Sequence, residues 1–487
     1  MQTTLLGVAI AIILALVAAL VGPLLINWND YRSIFEAEAT HLIGVDVHVK
    51  GAIDARLLPS PQLTLHDSAI GNGGKNAIRA DALNVEFALA PLLRGQWQAT
   101  DLHVSGPQLH LGLDKDGHVK APALAFGFKP DVLSIDRLGV DGGKVVLTDA
   151  VNGNTVTLDH LYFNGQASSL AGPFKGEGGV TVSGDQYPFR VNTGRYRENG
   201  TLKVHVNVNP VAHPFAIDAD GTVSLHDGAP QFDGAMTVQR LVGVDHRDGG
   251  KLQMPWHVKG KLKATPASAL LQDADFQYGS DDHGLKLTGV ANLTFGKDAR
   301  FRAELSGNQL DLDSVLGGGS APAAPGAAVR KLVAFAGKAF QAPIPMQLGI
   351  GVDEITIGGG SLQNVRGDIS ADSNGWSLND FEFRAPGFTQ VKVSGRIHVA
   401  DSGAVSFAGP AEIDSNDPNA LSAWLEGHAP PKKQDLRPLS VRGDLTLGSE
   451  KIAFEHMRAK FARKTITGRF AYTFATGKQP SKLEAAL

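Results

Sequence analysis

The order of apolar and polar positions divides the chain into an apolar start, a short helical stretch and a long region of period two. Leu5 to Ile26 is an uncharged, almost wholly apolar run, and a helix needs roughly 20 such residues to cross a bilayer. A cleaved signal peptide fits less well, because its apolar core is only ~7–15 residues, a Lys or Arg precedes it and a small-x-small site follows it; here neither flank is present. The run therefore predicts an uncleaved anchor made by residues such as Leu5, Ile13, Leu20 and Ile26, with Trp28 and Tyr31 at the membrane interface. Lys/Arg asymmetry is too weak to orient it. Tyr31, Ile34, Phe35, Glu38 and Leu42 then follow helical spacing. They predict a short amphipathic helix that Asn29 or Asp30 can open and Gly44 can close. Such a helix could lie on a membrane or pack on the sheet that follows.

After Gly44 the period becomes two. Val45, Val47 and Val49 alternate with Asp46, His48 and Lys50. The same alternation runs through Leu83, Val85, Phe87 and Leu89, through Leu109, Leu111 and Leu113, and through Leu202, Val204, Val206 and Val208. Alternation of this kind makes a sheet with one apolar and one polar face. Asp114–Gly117, Asn152-Gly153, Asn199-Gly200 and Asp227-Gly228 supply turn signals between runs, so an antiparallel meander of hairpins is expected. A second phrase, apolar-x-Gly-x-apolar, recurs at Val49–Ile53, Val258–Leu262, Val365–Ile369, Val393–Ile397, Val441–Leu445 and Ile466–Phe470, with a looser copy at Leu287–Ala291. Gly367 and Gly395 are 28 residues apart, and Gly443 and Gly468 are 25 apart, which fits a unit of two or three strands. Each glycine either bends or bulges one strand or separates two.

Few segments break this pattern. Gly317–Gly326 reads as a flexible linker, followed by a predicted helix over Arg330–Phe340. Asn416-Asp417-Pro418 opens another helix, with Pro418 at its first position, running through Leu421, Trp424 and Leu425 to Gly427. The expected organisation is an anchor over 1–28, a short helix over 29–44, a first β region over 45–316, a linker over 317–329 and a second β region over 330–487. The final Lys482–Leu487 resembles the front of residues 299–313, which suggests that the β region continues further.

Composition narrows the function classes. Among 487 residues, 43% are hydrophobic and 19% charged, which fits neither a disordered nor a polytopic membrane protein. Glycine at 57 and proline at 25 suit many short strands. A net charge of −4 offers no basic footprint for nucleic acid. The absence of cysteine removes disulfides, thiolate metal sites and thiol catalysis.

Chemistry-bearing motifs are lacking. There is no Gly-x-Ser-x-Gly, no His-Glu-x-x-His and no phosphate-binding Gly-x-x-x-x-Gly-Lys-Ser/Thr. Sixteen histidines, among them His48, His103, His110 and His205, lack ligand spacing and read as solvated strand-face residues. Asp114–Gly117 and Asp218–Gly221 contain pieces of a calcium loop without its later ligands, and read as hairpin turns. No catalytic residue, metal or cofactor is expected, and the chain is read as a non-enzyme.

The order of several weak motifs resembles the AsmA family. They are the apolar start, Asn27…Tyr31-Arg32, Leu42-Ile-Gly44, Gly51-Ala-Ile53, Leu58-Pro59-Ser60-Pro61 and Leu65-His-Asp67. Further on come Ala90–Gly95, Leu109-His-Leu111 with Asp116-Gly117, Asp311-Leu-Asp313 and Asp417…Gly427. The resemblance implies an inner-membrane anchor in a Gram-negative envelope, a body in the periplasm and a part in outer-membrane biogenesis. It also implies likeness to bridge-like lipid transport proteins, in which a curled β-sheet forms an apolar groove for phospholipid. On that reading Leu83, Val85, Phe87, Leu89, Leu109, Leu111, Leu113, Leu202, Val204, Val206 and Val208 line the groove. The partners are phospholipid acyl chains, the inner membrane, and outer-membrane or periplasmic proteins. The alternative is a structural or assembly factor whose β core is filled by its own side chains, as in a sandwich or closed barrel.

Overall fold

The structure is a computed structural model. It describes residues 10, 14, 17, 20–23, 25–43, 45–71, 77–94, 98–114, 119–120, 134–149, 155–169, 171–197, 199–226, 229–240, 254–279, 284–296, 298–317, 325, 328, 344–372, 375–399, 405–426, 438–448, 451–461, 464–473 and 482–486. The chain packs as two compact units, residues 1–238 with 262–267, and residues 239–261 with 268–487. This division differs from the sequence expectation, which set the boundary at the Gly-rich segment over 317–329.

The first unit opens with a 3₁₀ turn, Trp28–Tyr31, and helix α1, Arg32–Ile43, close to the predicted amphipathic helix. Among the described residues no helix is long and apolar enough to cross a membrane. Leu5 and Ile13 of the predicted anchor lie outside the described residues. The strands that follow are β1 (Val47–Val49), β2 (Ile53–Arg56), β3 (Gln62–Ile70) and β4 (Ile78–Phe87), then the short helix α2 (Leu89–Leu92). Next come β5 (Gln98–Ser105), β6 (Gln108–Leu113), β7 (Val119–Lys120), β8 (Ser134–Ile135), β9 (Arg137–Asp149), β10 (Thr155–Ala167), β11 (Phe174–Val182), β12 (Asp185–Thr193), β13 (Thr201–Val208), β14 (Ala216–His226) and β15 (Ala229–Arg240).

Helix α1 covers the outer edge of β1 and β2, which among the described residues pair with β3 alone. An uncovered edge would leave N–H and C=O groups open to pairing with other chains. Side chains meet them instead. Glu36 accepts the Val49 N–H at 2.6 Å, Thr40 that of Val47 at 3.0 Å and Asn29 that of Ile53 at 3.2 Å. The Arg32 guanidinium donates to the carbonyls of Val49 and Gly51, each at 2.9 Å.

Strand β16 (Trp256–Ala264) is divided between the units after Lys261, and in the second unit β17 (Ser268–Tyr278), β18 (Leu285–Thr294) and β19 (Arg300–Asp311) precede helix α3 (Leu312–Gly317). There follow β20 (Met346–Ile357), β21 (Gly360–Asp372), β22 (Gly375–Ala385), β23 (Thr389–Val399) and β24 (Val405–Ser415), then helix α4 (Pro418–Glu426). The last strands are β25 (Leu439–Leu447), β26 (Lys451–Phe461), β27 (Lys464–Thr473) and β28 (Lys482–Ala486). Helix α4 is the one that Asp417-Pro418 predicts: the Asp417 carboxylate accepts the N–H groups of Asn419 at 3.1 Å and Ala420 at 3.3 Å, as an N-cap should. The predicted helix over 330–340 lies outside the described residues.

Most neighbours are antiparallel, but the meander is interrupted. β9 runs parallel to β5 and β6, and β20 runs parallel to β19. Parallel neighbours need a connection of roughly a dozen residues or more to bring the chain back. β19 and β20, which stand on either side of the Gly-rich segment, belong to one unit.

The recurring glycines fall inside strands at Gly260, Gly289, Gly367, Gly395, Gly443 and Gly468, and between two strands at Gly51. Several face a bulge. Gly289 pairs with Ala274 beside a register shift that contains Asp273 at φ 50°, and Gly468 pairs with Met457 beside one that contains His456 at φ 49°. Bulges bend the strand and add twist, and a side chain at Gly289 would collide with the Glu304 carbonyl. The glycine and the bulge are thus one device in two adjacent strands.

Candidate binding face

Cross-strand register shows what the alternation builds, because paired residues place side chains on one face. In the first unit one row runs Leu63–Val85–Leu102–Leu138–Gly165–Gly176–Val191–Val206–Ala219, over nine strands from β3 to β14. A second row runs Leu65–Leu83–Val104–Val140–Phe163–Gly178–Phe189–Val208–Ile217. Every position in both rows is apolar or glycine. The row between them, on the opposite face, reads Thr64–Asn84–His103–Gly139–Asn164–Glu177–Arg190–Asn207–Asp218. The second unit repeats the arrangement as Gly289–Leu305–Ile350–Gly367–Phe381–Val393–Ala411–Gly443.

The sequence-predicted residues distribute over this face unevenly. Val85 and Phe87 are 7% and 9% exposed and belong to a cluster with Ala99, Leu102, Ile135 and Ala167, against which Leu83 and Leu92 pack. A second cluster, Val49, Ile53 and Leu65, carries Trp28, Phe35 and again Leu83. This end of the apolar face is filled by the protein itself. Trp28, expected at a membrane interface, packs here, with its indole N–H donating to the Pro23 carbonyl at 2.9 Å. Leu89 departs from the predicted strand alternation: β4 ends at Phe87, Leu89 opens α2, and its side chain is 41% exposed. Pro91 has no N–H to give to a sheet ladder, and the chain turns helical there.

Farther along, Leu202, Val204, Val206 and Val208 of β13 are half-buried, and so are Phe189, Val191, Ile217 and Ala219 beside them. Leu109 and Leu111 are half-buried on β6, where Leu113 also lies. Glycines shape the middle of the face. A Cβ on Gly176 or Gly165 would meet the Phe163 ring at 2.7 Å, and one on Gly178 the Phe189 ring at 2.7 Å, so the space that these glycines leave is taken by the rings. Leu20 and Ile26 of the apolar start are 54% and 42% exposed.

The opposite face is ionic. Arg137 pairs with Asp101 at 3.2 Å, Lys144 with Asp159 at 3.2 Å, and His103 with Asp141 at 3.0 Å. His205 lies between Asp218 at 3.5 Å and Asp220 at 3.3 Å. Asp218–Gly221 is accordingly mid-strand in β14 and not the hairpin turn the sequence predicts: pairing with β13 places Asp218 opposite Asn207 and Asp220 opposite His205. A hollow of about 870 Å³ lies on this face, lined by Gln166, Lys175, Glu177, Arg190, Asn192 and His205 among others. In the second unit one of about 950 Å³ is lined by Arg302, Glu304, Arg366, Asp368 and Glu382 among others. Both hollows carry charges of both signs.

Lys261 and Asp273 form an exposed pair at 2.9 Å, and the hydrogen bond and charge of Asp273 raise the Lys261 pKa above its ordinary value. Burial raises that of Tyr278. Both groups stand in the second unit.

The family model described as AsmA family matches residues 2–232. No curated protein and no solved structure matches the chain.

Proposed function

Because the chain belongs, over residues 2–232, to the AsmA family, we propose that it is an inner-membrane-anchored periplasmic protein whose apolar sheet face holds phospholipid acyl chains during outer-membrane biogenesis. The observation that carries this reading is the pair of apolar rows that cross nine strands and stay half-buried around β13. An apolar surface in water gains about 25 cal/mol per Å² when it is covered, and acyl chains supply such cover without any headgroup pocket. The ionic face opposite is suited to the aqueous periplasm. Exposure of Ile10 at 50%, Leu14 at 63% and Leu20 at 54% supports the apolar start as the anchor, since such residues on a helix need a non-aqueous environment. No catalytic step is assigned.

A second reading has its own support, in the self-filled clusters around Val85 and Val49: a scaffold for outer-membrane protein assembly whose faces are sealed by protein. The two readings separate on Val206→Asp. With a carboxylate among Val191 and Ala219, acyl chains lose their seat, while the side chain, which is only partly buried, leaves the fold intact. Phospholipid co-purifying with the detergent-extracted chain should fall several-fold at unchanged melting temperature. Equal lipid content in variant and parent would leave the scaffold reading in its place.

A further inference from the structure

One end of the first unit exposes leucines that the acyl-chain face does not use. The tip between β2 and β3 exposes Leu57 at 45%, and α2 with the residue after it exposes Leu89 at 41% and Leu93 at 80%. These segments share an end of the sheet, since the Phe87 N–H donates to the Pro61 carbonyl at 2.8 Å. Leu92 packs inward on the Val85 cluster and so holds α2 with Leu89 and Leu93 outward. Arg56 and Arg94 are exposed, and neither Ala55–Pro61 nor Ala88–Arg94 contains an Asp or Glu.

The apolar start of the chain leads to this same end. Side chains of the N-terminal helix meet the β1–β2 edge in order: Thr40 at Val47, Glu36 at Val49, Arg32 at Val49 to Gly51, Asn29 at Ile53. Each step toward the N-terminus is a step along the strand toward its tip. The residues that precede on the chain include Ile26 and Leu25, 42% and 82% exposed, and those that follow on the strand are Arg56 and Leu57.

We propose that the 57–61 tip and α2 form a second, interfacial contact with a phospholipid bilayer, beside the point where the apolar start enters it. Leu57, Leu89 and Leu93 enter the headgroup–acyl boundary, and Arg56 and Arg94 meet lipid phosphates, the division of labour of interfacial segments. The proposal rests on the membrane-anchor reading above and adds a surface and its residues to it. It sets the sealed end of the apolar face against the membrane.

The chain has no cysteine, so single-cysteine labelling is direct. Leu57→Cys and Leu93→Cys would carry an environment-sensitive NBD dye in the full chain, reconstituted into phosphatidylethanolamine/phosphatidylglycerol vesicles with doxyl-labelled lipid as quencher. Leu20→Cys reports the anchor and Lys203→Cys the ionic face. The expected result is blue-shifted emission and at least twofold quenching at 57, 93 and 20, with water-like, unquenched emission at 203. Unquenched dyes at 57 and 93 beside a quenched dye at 20 would overturn this contact alone. Unquenched dyes at all four sites would overturn the anchor with it. Dyes at 57 and 93 that are shielded but unquenched would mean a protein cover, and would overturn the proposal as well. Quenching at 57 and 93 without quenching at 20 would uphold the contact and remove the anchor.

Discussion

Val85 on β4 and Val206 on β13 stand in the same row of the same face, each flanked by polar residues that point the other way, yet Val85 is 7% exposed inside a cluster while Val206 is half-buried. The alternation that predicts each is the same. What differs is the cover. Near β4 the cover comes from outside the rows: Trp28 and Phe35 arrive from the N-terminal helix, Leu92 from α2 and Ile135 from β8. Around β13 the neighbours in register are other members of the face, Val191 and Ala219. A period of two therefore specifies which side is apolar and leaves open what covers it.

Truncation should break this comparison most sharply. Phe87→Ala removes a ring that is 9% exposed, and should cost about 3–5 kcal/mol by leaving a cavity. Val206→Ala should cost less, about 1 kcal/mol, because its smaller side chain is only partly buried by protein. Urea denaturation of both variants checks the pair, and equal losses would mean that the face is covered equally along its length. Next in size is Gly176→Val. A side chain there would meet the Asn164 carbonyl at 2.5 Å and the Phe163 ring at 2.7 Å. Strand and ring must both shift, a strain of about 1–3 kcal/mol, read as a lower denaturation midpoint. The smallest effect belongs to the ionic face. Lys261 is raised in pKa by Asp273, so what the pair contributes is present below the ordinary lysine range and lost as pH rises through the raised value. Both partners are exposed and screened by solvent, so Lys261→Met should leave the neutral-pH melting temperature within experimental error.

Much of the architecture was legible from spacing. Val204, Val206 and Val208 lie on one face, as period two requires, and Asp417-Pro418 opens α4 where the capping signal stands. The glycine phrase marked bends inside strands at positions such as Gly289 and Gly468. Other features were not legible, for physical reasons. Leu89 continues the apolar alternation of Leu83, Val85 and Phe87, but Pro91 two residues later ends the ladder. Asp218–Gly221 carries turn residues, yet its partners on β13 hold it in a strand. The parallel pairing of β9 with β5 and β6, and of β20 with β19, depends on where a crossover returns the chain, which local pattern does not encode. The sealing of Val85 depends on Ile135, fifty residues away along the chain.

The central claim is that hydrocarbon from outside the protein completes the apolar face around β13. The most direct test is a benzophenone amino acid placed at Val206 and, in a second strain, at Val85, with cells irradiated and the purified chain examined by mass spectrometry. The account predicts phospholipid adducts at Val206 and only intramolecular protein crosslinks at Val85. Protein crosslinks without lipid at Val206, or lipid adducts of equal yield at both positions, would contradict it.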